Sequence, residues 1–332
     1  MPVDRHSQGR NVKVDGFTRS LDFIFNTNLK SLMIRCPLCG QKGLVMTKWI
    51  KGRKLKPLYV FHKDNGRAPR ECCLRELDSE GIRDNVEISR ADLEKLLTKV
   101  NAYILFSGGV DSLCTLLYLL EISENNGRKL TALHIDTTAG FPEVTEYVRR
   151  ICRTLGVPLE VVRPAGDYFE MAKRWGIPSF SARWCCKQLK VKPARDFLSK
   201  IPDPKIVVDG IRSSESTQRS TYLPAWYHPA FQCLSISPIL RWSHREVRSY
   251  IDASGLPPNP AKELGCSAEC WCGAYKTRGD FEKLLEVHPE IFDKLVEVER
   301  AQRGRFTFIY ENGNQVPLES LKRSSSFGCK QH

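Results

Sequence analysis

The sequence predicts an α/β protein built on a doubly wound parallel sheet, with a small cysteine-bearing module in front and a helical, cysteine-containing region behind. Three observations carry that expectation. From Asn101 onward, short apolar β-like runs alternate with helix-like runs. The stretch Tyr103-Ile-Leu-Phe-Ser107-Gly108-Gly109-Val110-Asp111-Ser112 joins one such strand to one such helix through a tight turn. Finally, Cys36-Pro-Leu-Cys39-Gly40 has the spacing of a metal knuckle and stands outside the alternating region.

In chain order, residues 1–30 form a polar lead-in, 31–80 a zinc ribbon and 81–99 a linker helix that Ser89 caps. A nucleotide-binding domain follows over 100–252, and 253–332 holds a second cysteine cluster, helices and a Ser-rich tail. Strands are expected at Ala102–Phe106, Leu130–Ile135, Leu159–Val162 and Ile206–Val208. Helices are expected at Ser112–Glu124, Glu143–Leu155, Tyr168–Trp175 and Cys186–Leu198. Strands alternating with helices give a parallel sheet with ligands outside the strand C-termini. A further strand at Ile236–Leu240 is expected at a sheet edge because of Pro238, before a helix with Ser243 and Glu246 as a capping box. A last helix pair spans about 280–302.

Composition narrows the function classes. No apolar run approaches the roughly 18 residues of a membrane span, and Met1–Arg10 lacks the apolar core of a signal peptide. The expectation is a cytoplasmic chain, in which 13 cysteines point to metal or redox use rather than disulfides. The net charge of +13 favours a polyanionic partner. Between Lys30 and Arg70 there are eleven Lys or Arg and one acid, Asp64, interleaved with Trp49, Tyr59 and Phe61. That mixture suits a nucleic-acid backbone and its bases.

The turn at Ser107–Ser112 sets backbone N–H groups and the positive end of a helix where a polyanion can sit. Gly108 and Gly109 carry no Cβ to block a phosphate. Ser107 and Ser112 offer hydroxyls, and Asp111 is placed to hold magnesium or cap the helix. Asp136 ends the second strand, with Thr137 and Thr138 beside it, where an adenosine ribose or base fits. The fourth strand runs into Gly210-Ile-Arg212-Ser-Ser-Glu215-Ser216-Thr-Gln-Arg219. Its two arginines suit a phosphate or sulfate, and Glu215 can orient one of them.

In this order the motifs resemble the phosphoadenosine phosphosulfate (PAPS) reductase family of the PP-loop ATP pyrophosphatases, whose fold is of the adenine nucleotide alpha hydrolase type. Ser107–Ser112 matches the SGGxDS loop, Asp136-Thr137 and Pro142-Glu143 match a strand end and helix start, and Gly210, Arg212, Glu215, Ser216 and Arg219 match GxRxxESxxR. Cys185-Cys186 before Lys190-Val-Lys192-Pro193 matches a Cys-Cys pair before a Lys-x-x-Pro helix. The resemblance covers about residues 100–275. It implies nucleotide binding by Ser107, Gly108, Gly109, Asp111, Ser112, Asp136, Gly210, Arg212, Glu215 and Arg219, with Asp111 also a catalytic candidate. Reductases of this family have a degraded first loop. Here it is intact, which points to consumption of ATP with magnesium.

The first cysteine set reads as zinc ligands Cys36, Cys39, His62 and Cys72, with Cys73 as the alternate to Cys72. The second set is Cys185, Cys186, Cys266, Cys270 and Cys272, four of which could hold a [4Fe–4S] cluster. A second zinc or a redox thiol pair is the competing reading, since CxxxCxC departs from the reductases' CxxC. Cys329, three residues before His332, repeats the spacing of the family's catalytic cysteine but lacks its flanking Glu. Cys114, Cys152 and Cys233 fall in apolar stretches and read as core.

The function expected first is ATP-dependent sulfur transfer to a nucleic acid, tRNA above all. The basic zinc ribbon positions the polyanion and a separate donor supplies sulfur. The alternative is PAPS or adenylyl-sulfate reduction, in which Cys329 attacks sulfur and a thioredoxin-like reductant closes the cycle. A non-catalytic nucleic-acid-binding protein is the third reading.

Overall fold

The computed structural model describes residues 23–47, 58–63, 70–74, 82, 85–123, 130–263 and 270–322. Four short strands open it: β1 (Met33–Arg35), β2 (Lys42–Thr47), β3 (Leu58–His62) and β4 (Arg70–Cys73). Helix α1 (Arg90–Leu97) leads into β5 (Asn101–Leu105), α2 (Val110–Ser123), β6 (Leu130–Ile135), α3 (Pro142–Thr154), β7 (Leu159–Val162) and α4 (Tyr168–Trp175). A π-helical turn (Cys186–Val191) continues as α5 (Lys192–Leu198), followed by β8 (Lys205–Val208), α6 (Thr217–Ser220), β9 (Ala225–His228) and β10 (Cys233–Ile236). Then come α7 (His244–Asp252), α8 (Pro260–Glu263), α9 (Arg278–Val287), α10 (Pro289–Ala301) and the hairpin β11 (Ile309–Glu311) with β12 (Asn314–Val316). No helix among the described residues is long and apolar enough to cross a membrane.

Strands β10, β8, β5, β6 and β7 lie side by side and all parallel. The chain steps outward from β5 to β6 and β7, then returns to the other side of β5 with β8. The order therefore reverses at β5, and a loop leaving β5 opens into the crevice where α/β sheets bind ligands. The period-2 pattern covers both faces. Ala102, Ile104, Ile206 and Val208 pack with Leu113, Leu116 and Val148 of α2 and α3. Leu133 and Val207 pack with Ala194 and Leu198 of α5, with partly buried Tyr103 and Leu105 against them. Cys114, Cys152 and Cys233 are buried, as expected of core residues.

Three details differ from the sequence expectation. The late strand is Cys233–Ile236, not Ile236–Leu240, and it is interior, between β8 and β9. It stops before Pro238, which has no N–H to give a ladder. The segment expected as one helix from Cys186 begins as a π-helical turn, so α5 proper starts at Lys192. The sheet also does not end where the alternating region begins. Thr47 of β2 pairs in parallel with Trp226 of β9, so β1–β4 extend the same sheet and share its apolar core.

A buried carboxylate joins the N-terminal strands to α1. Asp92, 2% exposed, accepts from Ser31 N–H (2.7 Å) and Ser31 O–H (2.6 Å), while Ser89 O–γ caps the helix by accepting from Asp92 N–H (3.2 Å). Burial alone would raise the Asp92 pKa, but the Ser31 and Lys95 donors outweigh it and hold it below its ordinary 3.8. A depressed carboxylate stabilises the fold above its unfolded pKa and loses that contribution as pH falls through the folded value. Asp92→Ala is therefore expected to cost about 1–3 kcal/mol at neutral pH by orphaning the Ser31 donors. The difference from the wild type should shrink on acidification below pH ~4, read by urea unfolding at stepped pH.

Candidate nucleotide and thiol site

The loop from Ser107 to Ser112 is stitched by its own side chains. Ser107 Oγ accepts from Gly109 N–H (3.3 Å) and lies 3.1 Å from Ser112 Oγ, which donates to Gly109 O (2.9 Å). Asn259 Nδ2 donates to Gly108 O (2.8 Å), so the segment before α8 closes over the turn. Gly108 has φ +83°, and a Cβ there would press on Asn259, Val148 and Tyr147 at 3.1–3.4 Å. The first-turn N–H groups of α2 follow at once, on the side where a phosphate is held.

The exit of β8 lies directly against this turn. A Cβ on Gly210 would meet the Asp111 carbonyl carbon and oxygen at 2.7 Å and Ser112 N at 2.9 Å, so backbone packing itself requires glycine. Arg212 Nε donates to Asp111 Oδ1 (2.6 Å) and Nη2 to Oδ2 (3.4 Å). The carboxylate that the sequence offers to magnesium is thus taken by a guanidinium. Asp111 as arranged does not fit a metal ligand. Glu215 accepts from the Arg212 N–H (2.8 Å) and is ion-paired with Arg219, the orienting role expected of it.

Sequence reasoning missed Asp209. It is buried at the end of β8 and accepts from Ser235 Oγ (2.9 Å), Ser237 Oγ (2.6 Å) and Ile211 N–H (3.2 Å). Burial pushes its pKa up despite those donors. It fixes the turn that carries Gly210 and Arg212. Arg163 was also missed: its Nε and Nη2 donate to Asp136 Oδ2 at 2.9 and 2.6 Å. Thr138 N–H donates to Asp136 Oδ1 (3.1 Å), with Thr138 itself at φ +57°.

The second thiol group stands on the same edge of the sheet. Trp271 N–H donates to Ala139 O (2.9 Å) and its Nε1 to Gly140 O (3.1 Å), which docks Cys270 and Cys272 on the loop that follows Asp136. Cys185 and Cys272 sulfurs are 3.5 Å apart, and those of Cys270 and Cys272 3.6 Å. The thiol contact with Cys185 brings Cys186 down to about 7, and the same contact pushes Cys185 up to about 12. Tyr168, Trp184 and Trp271 wall the group, with Tyr168 O–H on Cys272 O (2.7 Å). Cys266 and Cys329 lie outside the described residues.

At the other end of the sheet Cys36, Cys39, His62 and Cys72 bring their ligand atoms within 4.8 Å of one another. Cys39 Sγ is 3.4 Å from His62 Nε2, whose other ring nitrogen faces Lys42 O at 3.3 Å. Gly40, at φ +71°, turns the knuckle by donating to Cys36 O (2.8 Å). A Cβ on Gly43 would collide with the His62 ring at 2.8 Å. The alternate, Cys73, lies in β4 with its side chain outside the described set.

Residues 101–287, more than half of the chain, match the family model of the phosphoadenosine phosphosulfate reductase domain. The chain belongs to that family. Among curated relatives, an uncharacterized protein of Methanocaldococcus jannaschii is 29% identical over 65% of this chain and 45% of its own length. The adenosine 5′-phosphosulfate reductase of Salinibacter ruber is 29% identical over 41% of this chain and 53% of its own. That of Rhodococcus erythropolis is 27% identical over 61% and 93%. The chain spans only about half the length of the first relatives it matches. Similar solved structures include the PAPS reductase of Candida auris (22% identical, 56% of this chain, 90% of that one, TM-score 0.44) and the U34-tRNA thiolase of Methanococcus maripaludis with its [4Fe–4S] cluster (16%, 64%, 77%, TM-score 0.41).

Within the PAPS reductase family frame, the structure gathers the loop Ser107–Ser112, Gly210, Arg212, Glu215 and Arg219 at one strand-end crevice. Asp136 stands one strand over, next to the thiols. The two cysteine groups remain separate, one at each end of the sheet.

Proposed function

We propose that this chain consumes ATP to transfer sulfur to a nucleic acid, with tRNA the first substrate to test. The observation that carries the reading is the intact, internally bonded Ser107–Ser112 loop opening at the β5 switch point, with Arg212 and Arg219 beside it and thiols on the same sheet edge. Loop amides and the half-exposed Arg219 are suited to charge on a departing pyrophosphate, while Arg212, engaged by Asp111 and Ser214, adds positive charge beside them. A base carbonyl oxygen attacks the α-phosphorus and releases pyrophosphate. A sulfur nucleophile then forms the C–S bond as the C–O bond to AMP breaks.

Thiols within aromatic walls are suited to an iron–sulfur cluster, which four of Cys185, Cys186, Cys270, Cys272 and Cys266 (the last outside the described residues) would hold. When bound it supplies a thiophilic, redox-active iron. At the other site, three thiols and an imidazole, with the second ring nitrogen engaged by Lys42 O, fit a structural zinc. The basic sequence between Lys30 and Arg70 is suited to the nucleic-acid backbone, and binding should weaken steeply with salt.

Sulfonucleotide reduction is the second reading, favoured by the names of the Salinibacter and Rhodococcus relatives. Sulfur transfer is tested by incubating the anaerobic protein with ATP, a sulfide source and bulk tRNA. RNA retarded in an organomercury gel, only when ATP is present, is the expected result. Unretarded RNA under every condition argues against it.

A further inference from the structure

Phe180 and Tyr275 are among the most exposed large apolar side chains, at 72% and 48%. Exposed aromatics scattered singly need no explanation, but these two meet. Their rings are 5.6 Å apart and nearly perpendicular, and the Arg183 guanidinium lies 5.7 Å from one ring and 5.5 Å from the other. Arg183 Nη1 also donates to the Tyr275 hydroxyl. The grouping is built rather than frayed. Ser179 and Ala182 exchange backbone hydrogen bonds, Ala182 N–H to Ser179 O at 3.2 Å and the reverse at 3.5 Å, which puts Phe180 at the tip of a tight turn. Tyr275 is delivered by Gly273, at φ +94° against Phe308.

Its position links it to the thiols. Arg183 lies two residues before Cys185 and Tyr275 three after Cys272, the two cysteines whose sulfurs are 3.5 Å apart. Trp184, stacked on Tyr168, lies next inward. The surroundings are cationic. From residue 174 to 192 there are five Lys or Arg (174, 183, 187, 190 and 192), all exposed, and no Asp or Glu. Lys192 also lines a cavity of about 350 Å³ with Lys200, Asp196 and Arg163, the last of which donates to Asp136.

We infer that Phe180, Arg183 and Tyr275 form a stacking platform for an unpaired nucleobase, with the phosphates around it held by the lysines at 187, 190 and 192. Aromatic faces with an arginine plane suit bases that have left a stack, and the basic run complements the backbone. This deepens the proposed function and rests on it: the platform presents the base at the rim of the thiol group.

The test is fluorescence anisotropy of the full-length protein with a short fluorescein-labelled single-stranded RNA, and with the same strand annealed to its complement. Wild type should prefer the single strand. Phe180→Ala should weaken that binding about tenfold and Phe180→Ala with Tyr275→Ala about a hundredfold, without changing the salt slope, because stacking releases no counterions. Tyr275→Phe should keep wild-type affinity, which separates stacking from any damage to the fold. Unchanged affinity in the alanine variants, an equal loss for duplex, or no RNA binding by the wild type overturns the platform. The variants are also assayed for RNA thiolation with ATP. Loss of binding where even the wild type thiolates nothing leaves the platform and removes the function. Thiolation at the wild-type rate by the double variant removes the platform and leaves the function.

Discussion

Withholding metal from the site proposed at Cys36, Cys39, His62 and Cys72 is expected to release strands β1–β4 while the β5–β8 region stays folded. Among the described residues β2 pairs with the main sheet at Thr47 with Trp226, β3 pairs with β2 and β4 with β3, all sharing the sheet's apolar core. Their alignment depends on ligands drawn from the knuckle after β1, the end of β3 and β4. Binding energy at such a site is folding energy, and thiolates gathered without an ion repel or must protonate. Hydrogen exchange after chelation, or in Cys39→Ser, should accelerate in β2 and β3 by at least about a hundredfold, on the order of 3 kcal/mol. Elemental analysis should return zinc from the untreated protein. Full protection of β2 and β3 after metal removal contradicts the assignment.

Arg212→Ala is expected to have the next largest effect. The Arg212 side chain is 8% exposed and Asp111 26%, so the pair is mostly withdrawn from water. Truncating one partner leaves the other carboxylate uncompensated, at about 3 kcal/mol of stability. On the proposed function it also removes positive charge beside the phosphate crevice, which in comparable sites lowers kcat about 10²–10³-fold. Arg212→Lys should recover part of the stability and little of the turnover, because an ammonium keeps the charge without the fork that spans both Asp111 oxygens. Urea unfolding and ATP turnover measured side by side separate the two losses. Wild-type turnover in Arg212→Ala contradicts a role for this arginine at the phosphates.

The parts that were legible in the sequence are those written in local patterns. The β5–α2 unit shows a period-2 run, a Gly-Gly turn and a helical run within some twenty residues, and β6, β7 and β8 repeat the design. That Cys36, Cys39, His62 and Cys72 gather in one metal-capable group was readable from knuckle spacing and a downstream His and Cys. What escaped depends on partners far along the chain. Asp209 carries no signal of its own until β10 sets Ser235 and Ser237 beside it. Asp111 reads as a magnesium ligand until Arg212, 101 residues later, is folded onto it. Strand β9 has little alternation of its own, and its place comes from β10 on one side and Thr47 on the other.

On the proposed function, the intact Ser107–Ser112 loop serves ATP cleavage between the α and β phosphates. The most direct measurement is a product assay with α-labelled ATP, tRNA and a sulfide source and, in parallel, with PAPS and a thioredoxin-like reductant. Labelled AMP with pyrophosphate from the first mixture, lost in Ser107→Ala, and no sulfite from the second is the predicted result. Sulfite from PAPS with no AMP or pyrophosphate from ATP would contradict the account.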